Sequence, residues 1–214
     1  VKTVTRIGVI GDIHAEDATL RDALHHFAEL AVDLVVAVGD VVDGPGDPDV
    51  CCALLEEHGV VTVLGNHDRW YLGGEMRDLP GATPAGSLDA KSVGFLSSLP
   101  ATTRIDTARQ PIILCHGLGD DDMATVRPWD SGYDLDVNYA LQDLIAQEGG
   151  AVVVCGHSHR RMVRTFDELT VVNAGTLLRE HDPCFAILDV GERKVAFYTR
   201  HDQGIILQTE VVRY

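Results

Sequence analysis

The sequence predicts an α/β fold with a second sheet, and three observations carry that reading. Short runs rich in Val and Ile recur between turn signals, helical patterns stand between them, and after Gly175 the helices give way to three successive strand-like runs. Runs that are apolar throughout but only strand-length suit strands buried on both faces. Their alternation with helices implies a sheet covered by helices. The closing meander suggests a second sheet packed against the first.

In chain order, strands are predicted over residues 5–10, 34–38, 60–64, 111–115, 151–155 and 169–173. A first helix shows Leu20, Leu24, Phe27 and Ala31 on one face, behind the cap-like Asp17 and Thr19. Asp47-Pro48 opens a second helix that runs through Leu54 and Leu55 and stops at Gly59, with proline at a favoured first position. Val137, Ala140, Leu141, Leu144 and Ile145 mark a third, ended by Gly149-Gly150. The meander comprises strands over 184–190, 195–200 and 205–212, with turns at 191–193 and 202–204. Residues 69–88 and 118–133 have no clear period and read as long loops, which in a compact domain are often functional.

Composition bounds the function. The chain has 214 residues, 45% hydrophobic and 23% charged, which excludes a disordered protein and allows a sizeable core. No repeat, low-complexity segment or linker interrupts it, so one domain over 1–214 is expected. Lys plus Arg is 17 against 33 Asp plus Glu, a net charge of -16. So acidic a surface argues against a nucleic-acid coat or an anionic membrane as partner. A small phosphorylated substrate stays compatible if something local reverses the field. Five cysteines without CxxC spacing, two of them the neighbours Cys51 and Cys52, suit a reducing compartment. The first apolar run ends at Asp12, too short for a signal peptide, and no run is long enough to span a bilayer. A cytoplasmic location is expected.

The strand ends carry the chemistry. They read Gly11-Asp12-Ile13-His14, Gly39-Asp40, Gly65-Asn66-His67-Asp68, Cys115-His116-Gly117 and Gly156-His157-Ser158-His159. Each sets Asp, His or Asn beside glycine, and strand C-termini of an α/β sheet converge on one edge. Taken singly, each motif is an ordinary turn or a hydrogen-bonded histidine; five strand ends sharing one chemistry are not. Two carboxylates, an amide and several imidazoles form a hard-to-borderline O/N donor set that suits Mn, Fe or Zn. Seven such ligands are too many for one ion and fit two metals sharing a carboxylate.

In this order GDIH, GDVVD, GNHD, CHG and GHSH resemble the calcineurin-like metallophosphoesterases, from about Ile7 to Asn173-Ala174-Gly175. The resemblance implies a four-layer αββα sandwich of two facing mixed β-sheets. It also implies two divalent metal ions, the first held by Asp12, His14, Asp40 and His159. Asp40 bridges to the second, completed by Asn66, His116 and His157. The implied reaction is in-line attack on phosphorus by a hydroxide shared between the metals, which also neutralise the growing charge.

His67 is outside that ligand set and is the candidate general acid for the leaving alkoxide. Asp68 either holds its imidazole charged or is a turn carboxylate; Asp43 either supports a ligand histidine or caps a turn. Cys115 and Cys155 read as small buried residues under the site. Arg69, Arg127 and Arg160 are candidate substrate contacts that equally fit solvated or paired surface groups, and the Asp120-Asp121-Asp122 run reads as a solvated loop. Ser/Thr phosphatases of this superfamily carry a GDxxDRG pattern, whereas Gly44 stands here in place of the arginine. A small phosphate ester or nucleotide is therefore the expected substrate. A protein phosphatase, a dinucleoside polyphosphate hydrolase and a non-enzymatic scaffold are the alternatives.

Overall fold

In a computed structural model describing residues 4–201 and 204–214, the chain folds as eleven strands in two sheets. The first sheet gathers β1 (Arg6–Ile10), β2 (Leu34–Ala37), β3 (Val61–Thr62), β9 (Phe185–Asp189), β10 (Lys194–Arg200) and β11 (Ile206–Arg213), in the order β11-β10-β9-β1-β2-β3. The second gathers β4 (Thr102–Ile105), β5 (Ile112–Cys115), β6 (Val152–Cys155), β7 (Met162–Phe166) and β8 (Leu169–Asn173), in the order β4-β5-β6-β8-β7. In the second sheet the parallel strands β5-β6-β8 are flanked on both sides by antiparallel β4 and β7, whereas in the first the parallel run β1-β2-β3 ends the sheet at β3 and the antiparallel strands β9, β10 and β11 continue it beyond β1. Both sheets are mixed, as expected.

The layers follow from the period of two along each strand. Ile7 and Val9 of β1, Ile112 and Leu114 of β5, and Val152 and Val154 of β6 fill the space between the sheets. The intervening residues face outward: Ile113, Cys115, Val153 and Cys155 pack under Leu141 and Leu144 of α6 (Tyr139–Gln147). On the other outer face, Phe185 and Ile187 of β9 pack with Leu20, Leu24 and Phe27 of α1 (Asp17–Glu29) and Leu54 and Leu55 of α2 (Pro48–Glu57). Strands sandwiched in this way are apolar on both faces, which is why they read as continuous runs.

α2 starts as predicted: Pro48 is its first residue, and Asp47 accepts hydrogen bonds from the amides of Asp49 and Val50. Asp17 is the first residue of α1 rather than its cap, which is Glu16 without a side-chain cap bond. The meander does not found a second sheet. β9 pairs antiparallel with β1 and so extends the first sheet, while the second is built from the middle of the chain. Residues 202 and 203 of the predicted turn at 202–204 lie outside the described residues.

Five elements lack a counterpart in the sequence reading: β4, β7, α3 (Asn66–Gly73), α4 (Ala90–Ser98) and α5 (Tyr133–Asp136). β4 and β7 are edge strands with polar, half-exposed residues, Thr102, Thr103 and Arg104 in one and Arg164 and Thr165 in the other. α4 contains Gly94 and three serines, weak helix formers, and starts because Asp89 caps the amide of Ser92. Among the described residues, no helix is long and apolar enough to cross a membrane.

Candidate metal centre

The chain segments leaving β1, β2, β3, β5 and β6 meet at one place. His14, Asp40, Asp43, His157 and His159 all have positive φ, between 47° and 64°. This left-handed region is uncommon for residues bearing a side chain and costs about 1–3 kcal/mol each, a concentration typical of sites where the chain must turn abruptly. Gly65 is needed for close approach, since a Cβ there would collide with the backbone and carboxylate of Asp40. Asn173 ties the GHSH turn down, donating to the carbonyl of Gly156 at 2.6 Å and to Ser158 Oγ at 3.1 Å.

Asp12, His14, Asp40 and His159 each bring one ligand atom to a cluster in which all lie within 4.8 Å of one another. His14 Nδ1 donates to the carbonyl of Asp43 at 2.7 Å, which leaves the lone pair on Nε2, 3.0 Å from His159 Nε2. Asp12 Oδ1 accepts the amide of His157 at 2.9 Å, while its buried Oδ2 has no hydrogen-bond partner among the described residues. A second group faces the first across Asp40. Asn66 Oδ1 lies 2.8 Å from His116 Nε2 and 2.9 Å from His157 Nδ1. Asp40 Oδ2 stands between the groups, 3.7 Å from His14 Nε2 and 3.4 Å from His116 Nε2.

The electrostatics suit a cation. Burial, with His14 beside it, pushes His159 down to about 3, and burial and His116 pull His157 below the usual imidazole range. Both present lone pairs at neutral pH. Burial raises Asp12. Burial also pushes Asp40 up, but His116 and His14 outweigh it and hold the carboxylate ionised. Converging lone pairs, an orphaned buried carboxylate oxygen and an O/N donor set fit a divalent metal ion at the first group. Far-side hydrogen bonds fix these imidazole rings: His14 on the Asp43 carbonyl, His116 on the Val38 carbonyl at 2.8 Å, His159 against His181 Nδ1 at 2.7 Å.

The sequence pattern of the calcineurin-like phosphoesterase superfamily domain matches residues 5–193. The chain belongs to that superfamily. The uncharacterized protein MJ0912 of Methanocaldococcus jannaschii is 23% identical over 190 residues, 85% of this chain and 73% of that protein. A metallophosphoesterase of Sphaerobacter thermophilus superposes with a TM-score of 0.65 at 19% identity, over 91% of this chain and 87% of the other. Vacuolar Protein Sorting 29 of Cryptosporidium parvum superposes with a TM-score of 0.60 at 18% identity, over all of both chains. Such structural likenesses show the shared fold.

Around this phosphoesterase-family centre the remaining predicted residues fall differently. His67 is beside it, with its amide on Asp40 Oδ1 at 2.9 Å and its ring edge-on to His14 at 4.9 Å. Its Nδ1 is 2.7 Å from Asp43 Oδ2. Asp68 does not contact that imidazole: its carboxylate accepts the amides of Val41, Val42 and Gly65, binding the start of α3 to the turn after Asp40. The carboxylate that reaches the His67 imidazole is that of Asp43, whose carbonyl also accepts from His14 Nδ1. Burial lowers His67, yet the Asp43 hydrogen bond outweighs it and the imidazole is raised overall.

None of the three arginines named as substrate contacts is seen to reach the cluster. Arg69 forms a fork on Asp122 at 2.6 and 3.0 Å, which also gives Asp122 a role beyond a solvated loop. Arg127 and Arg160 are exposed: the amide of Arg127 donates to Asp130 Oδ2 and its carbonyl accepts from Arg164, while the amide of Arg160 donates to Ser158 Oγ. Cys115 and Cys155 are buried beneath the site. Residues the sequence reading missed are Arg77 and Thr83 on Asp43, His181 on His159, and Arg179, which forks onto buried Glu16 at 2.7 and 2.8 Å. They sit in segments without period or motif, and only proximity in the fold selects them.

Proposed function

We propose that this member of the superfamily is a metal-dependent phosphoesterase acting on a small phosphate ester or nucleotide. The observation that carries the reading is the pair of donor groups meeting at Asp40 Oδ2, with His67 on their flank. Asp12, His14, Asp40 and His159 would hold one divalent ion, and Asp40, Asn66, His116 and His157 a second, whether Mn, Fe or Zn. When bound, such ions acidify water and neutralise charge on a phosphate undergoing in-line displacement.

The chain's own residues do the rest. Asp43 fixes the proton of His67 on Nδ1, so the proton His67 can pass to a departing alkoxide is the one on Nε2. The Asp43 hydrogen bond outweighs burial and raises the affinity of His67 for its second proton, which favours the acid form. His14 and His116, pinned through Nδ1, keep Nε2 aimed inward.

A small substrate is favoured over a phosphoprotein by the turn after Asp43. A Cβ at Gly44 would overlap the carbonyl oxygen of His14, so that position has no room for the arginine of the GDxxDRG pattern. A non-enzymatic scaffold is disfavoured because all seven ligand positions retain metal-binding side chains. The test is turnover of metal-stripped, Mn-reloaded protein on nitrophenyl phosphate beside bis-nitrophenyl phosphate. Turnover that depends on added metal supports the reading, the preferred ester gives the substrate class, and metal-loaded protein inert on both overturns it.

A further inference from the structure

The segment after α3, residues 74–88, has no regular structure and no part in the metal groups, yet it delivers two residues to Asp43. Arg77 places Nη1 2.8 Å from Asp43 Oδ1 and Nη2 2.9 Å from Asp43 Oδ2. The amide of Thr83 donates to Oδ1 at 2.7 Å, and Thr83 Oγ1 accepts the amide of Asp43 at 3.0 Å. Arg77 is itself fixed: Nε donates to the carbonyl of Glu75 at 2.7 Å, Nη1 also to that of Thr83 at 3.1 Å, and the guanidinium lies 5.5 Å from the Tyr71 ring centre. Its side chain is 12% exposed and that of Asp43 4%.

We propose that Arg77 is a positioning residue for proton delivery: its fork clamps the Asp43 carboxylate in the orientation that presents Oδ2 to His67 Nδ1. This rests on the reading of His67 as general acid. Four donors of Arg77 are committed to Asp43 and to backbone carbonyls, so it is not arranged as a phosphate grip. A buried carboxylate with one imidazole partner can rotate about its last bond. One held at both oxygens by a planar fork and by the Thr83 amide cannot, and the fork suits carboxylate geometry in a way an ammonium does not. The hydrogen bonds from His67, Arg77 and the Thr83 amide, with the Arg77 charge, outweigh the opposing effect of burial and hold Asp43 well below the usual carboxylate range.

The experiment compares Arg77→Gln, Arg77→Lys and His67→Ala with wild type, Mn-loaded, on nitrophenyl and phenyl phosphate, or on the diesters of the same phenols if those are preferred. A phenolate without the nitro group leaves poorly and needs the proton; nitrophenolate scarcely does. Arg77→Gln is expected to lose roughly tenfold to a hundredfold in kcat on the phenyl ester, the scale of a misplaced catalytic group. On the nitrophenyl ester it should lose less than about threefold, with KM unchanged, and Arg77→Lys should recover part of the loss. Combined with His67→Ala, Arg77→Gln should add nothing. Selective loss in His67→Ala but not in Arg77→Gln overturns the inference and leaves the general acid standing. Equal loss on both esters in His67→Ala overturns the general-acid reading itself. Equal loss in Arg77→Gln, or loss of metal counted by elemental analysis, would put Arg77 behind His14 through the Asp43 carbonyl and also overturns the inference. Independently of turnover, proton NMR of the metal-free protein should show the His67 Nδ1 proton in wild type and lose it to exchange in Arg77→Gln; its persistence in that variant overturns the inference.

Discussion

Metal removal should cost this protein a large part of its thermal stability. Asp12 is 0% exposed and Asp40 1%, and Asp12 Oδ2 has no hydrogen-bond partner among the described residues. A buried polar atom left unsatisfied costs about 1–3 kcal/mol, more when charged. Ligands that bind only the folded state stabilise it by mass action, about 4 kcal/mol at a thousandfold excess over Kd. In a chain of roughly 200 residues each kcal/mol moves Tm by about 2–4 °C. Chelator-stripped protein titrated with Mn should therefore gain about 8–16 °C in Tm, followed by differential scanning fluorimetry. Asp40→Asn should lose most of that gain, because one carboxylate oxygen lies within 4 Å of His14 and His116 alike. His58→Ala, at an exposed histidine following α2, should keep all of it. A stripped wild-type protein whose Tm is indifferent to Mn at millimolar concentration would refute the reasoning.

Two further outcomes follow from contacts outside the ligand set. Gly44→Ala forces a Cβ into the His14 carbonyl, so it should destabilise by about 1–3 kcal/mol in urea melts and weaken Mn binding by calorimetry. Unchanged Mn affinity would show that the turn can yield without moving His14. His26, packed against Phe185 and Tyr198 with Nε2 buried and without a hydrogen-bond partner among the described residues, has its affinity for a proton lowered by burial. The unfolded chain then takes up a proton near pH 6.5 that the fold refuses, so stability is full above that pH and falls as pH drops towards the folded value. His26→Phe should remove that loss, widening its Tm advantage over wild type between pH 8 and pH 5.5; a gap that does not widen contradicts the assignment.

The central strands were legible because burial on both faces forces apolarity at every position, as in Ile112–Cys115 and Val152–Cys155. β4 and β7 were not, because an edge strand covered on one side tolerates Thr and Arg and leaves no run to read. The meander was recognised as strands but placed in the wrong sheet. Its partner is β1, at the far end of the sequence, and pairing across that separation leaves no local trace. The site divides along the same line. The candidate metal ligands stand in short motifs at strand ends, where turn chemistry and ligand chemistry coincide. Of the two readings left open for Asp68, partner of the His67 imidazole or turn carboxylate, the contacts favour the turn, because adjacency in a helix start does not place two side chains together. The carboxylate that does reach that imidazole, Asp43, comes from the turn after β2, 24 positions earlier.

The charge of the chain acquires a different meaning from these contacts. A net charge of -16 opposes a phosphate approaching the outer surface. Near the centre, however, the carboxylates are largely spoken for. Arg77 forks onto Asp43, Arg69 onto Asp122 and Arg179 onto Glu16, while Asp68 is spent on three backbone amides. That leaves Asp12 and Asp40 as the carboxylates facing the histidines and Asn66, the latter all neutral donors when they ligate. Two divalent ions would bring four positive charges against those two negative ones, so the metal-loaded cleft would attract phosphate and the metal-free cleft repel it. On the proposed function, substrate affinity and metal content would thus be coupled through electrostatics before any chemistry occurs. A phosphate analogue such as vanadate should bind only the metal-loaded protein, and its binding to stripped protein would contradict that coupling.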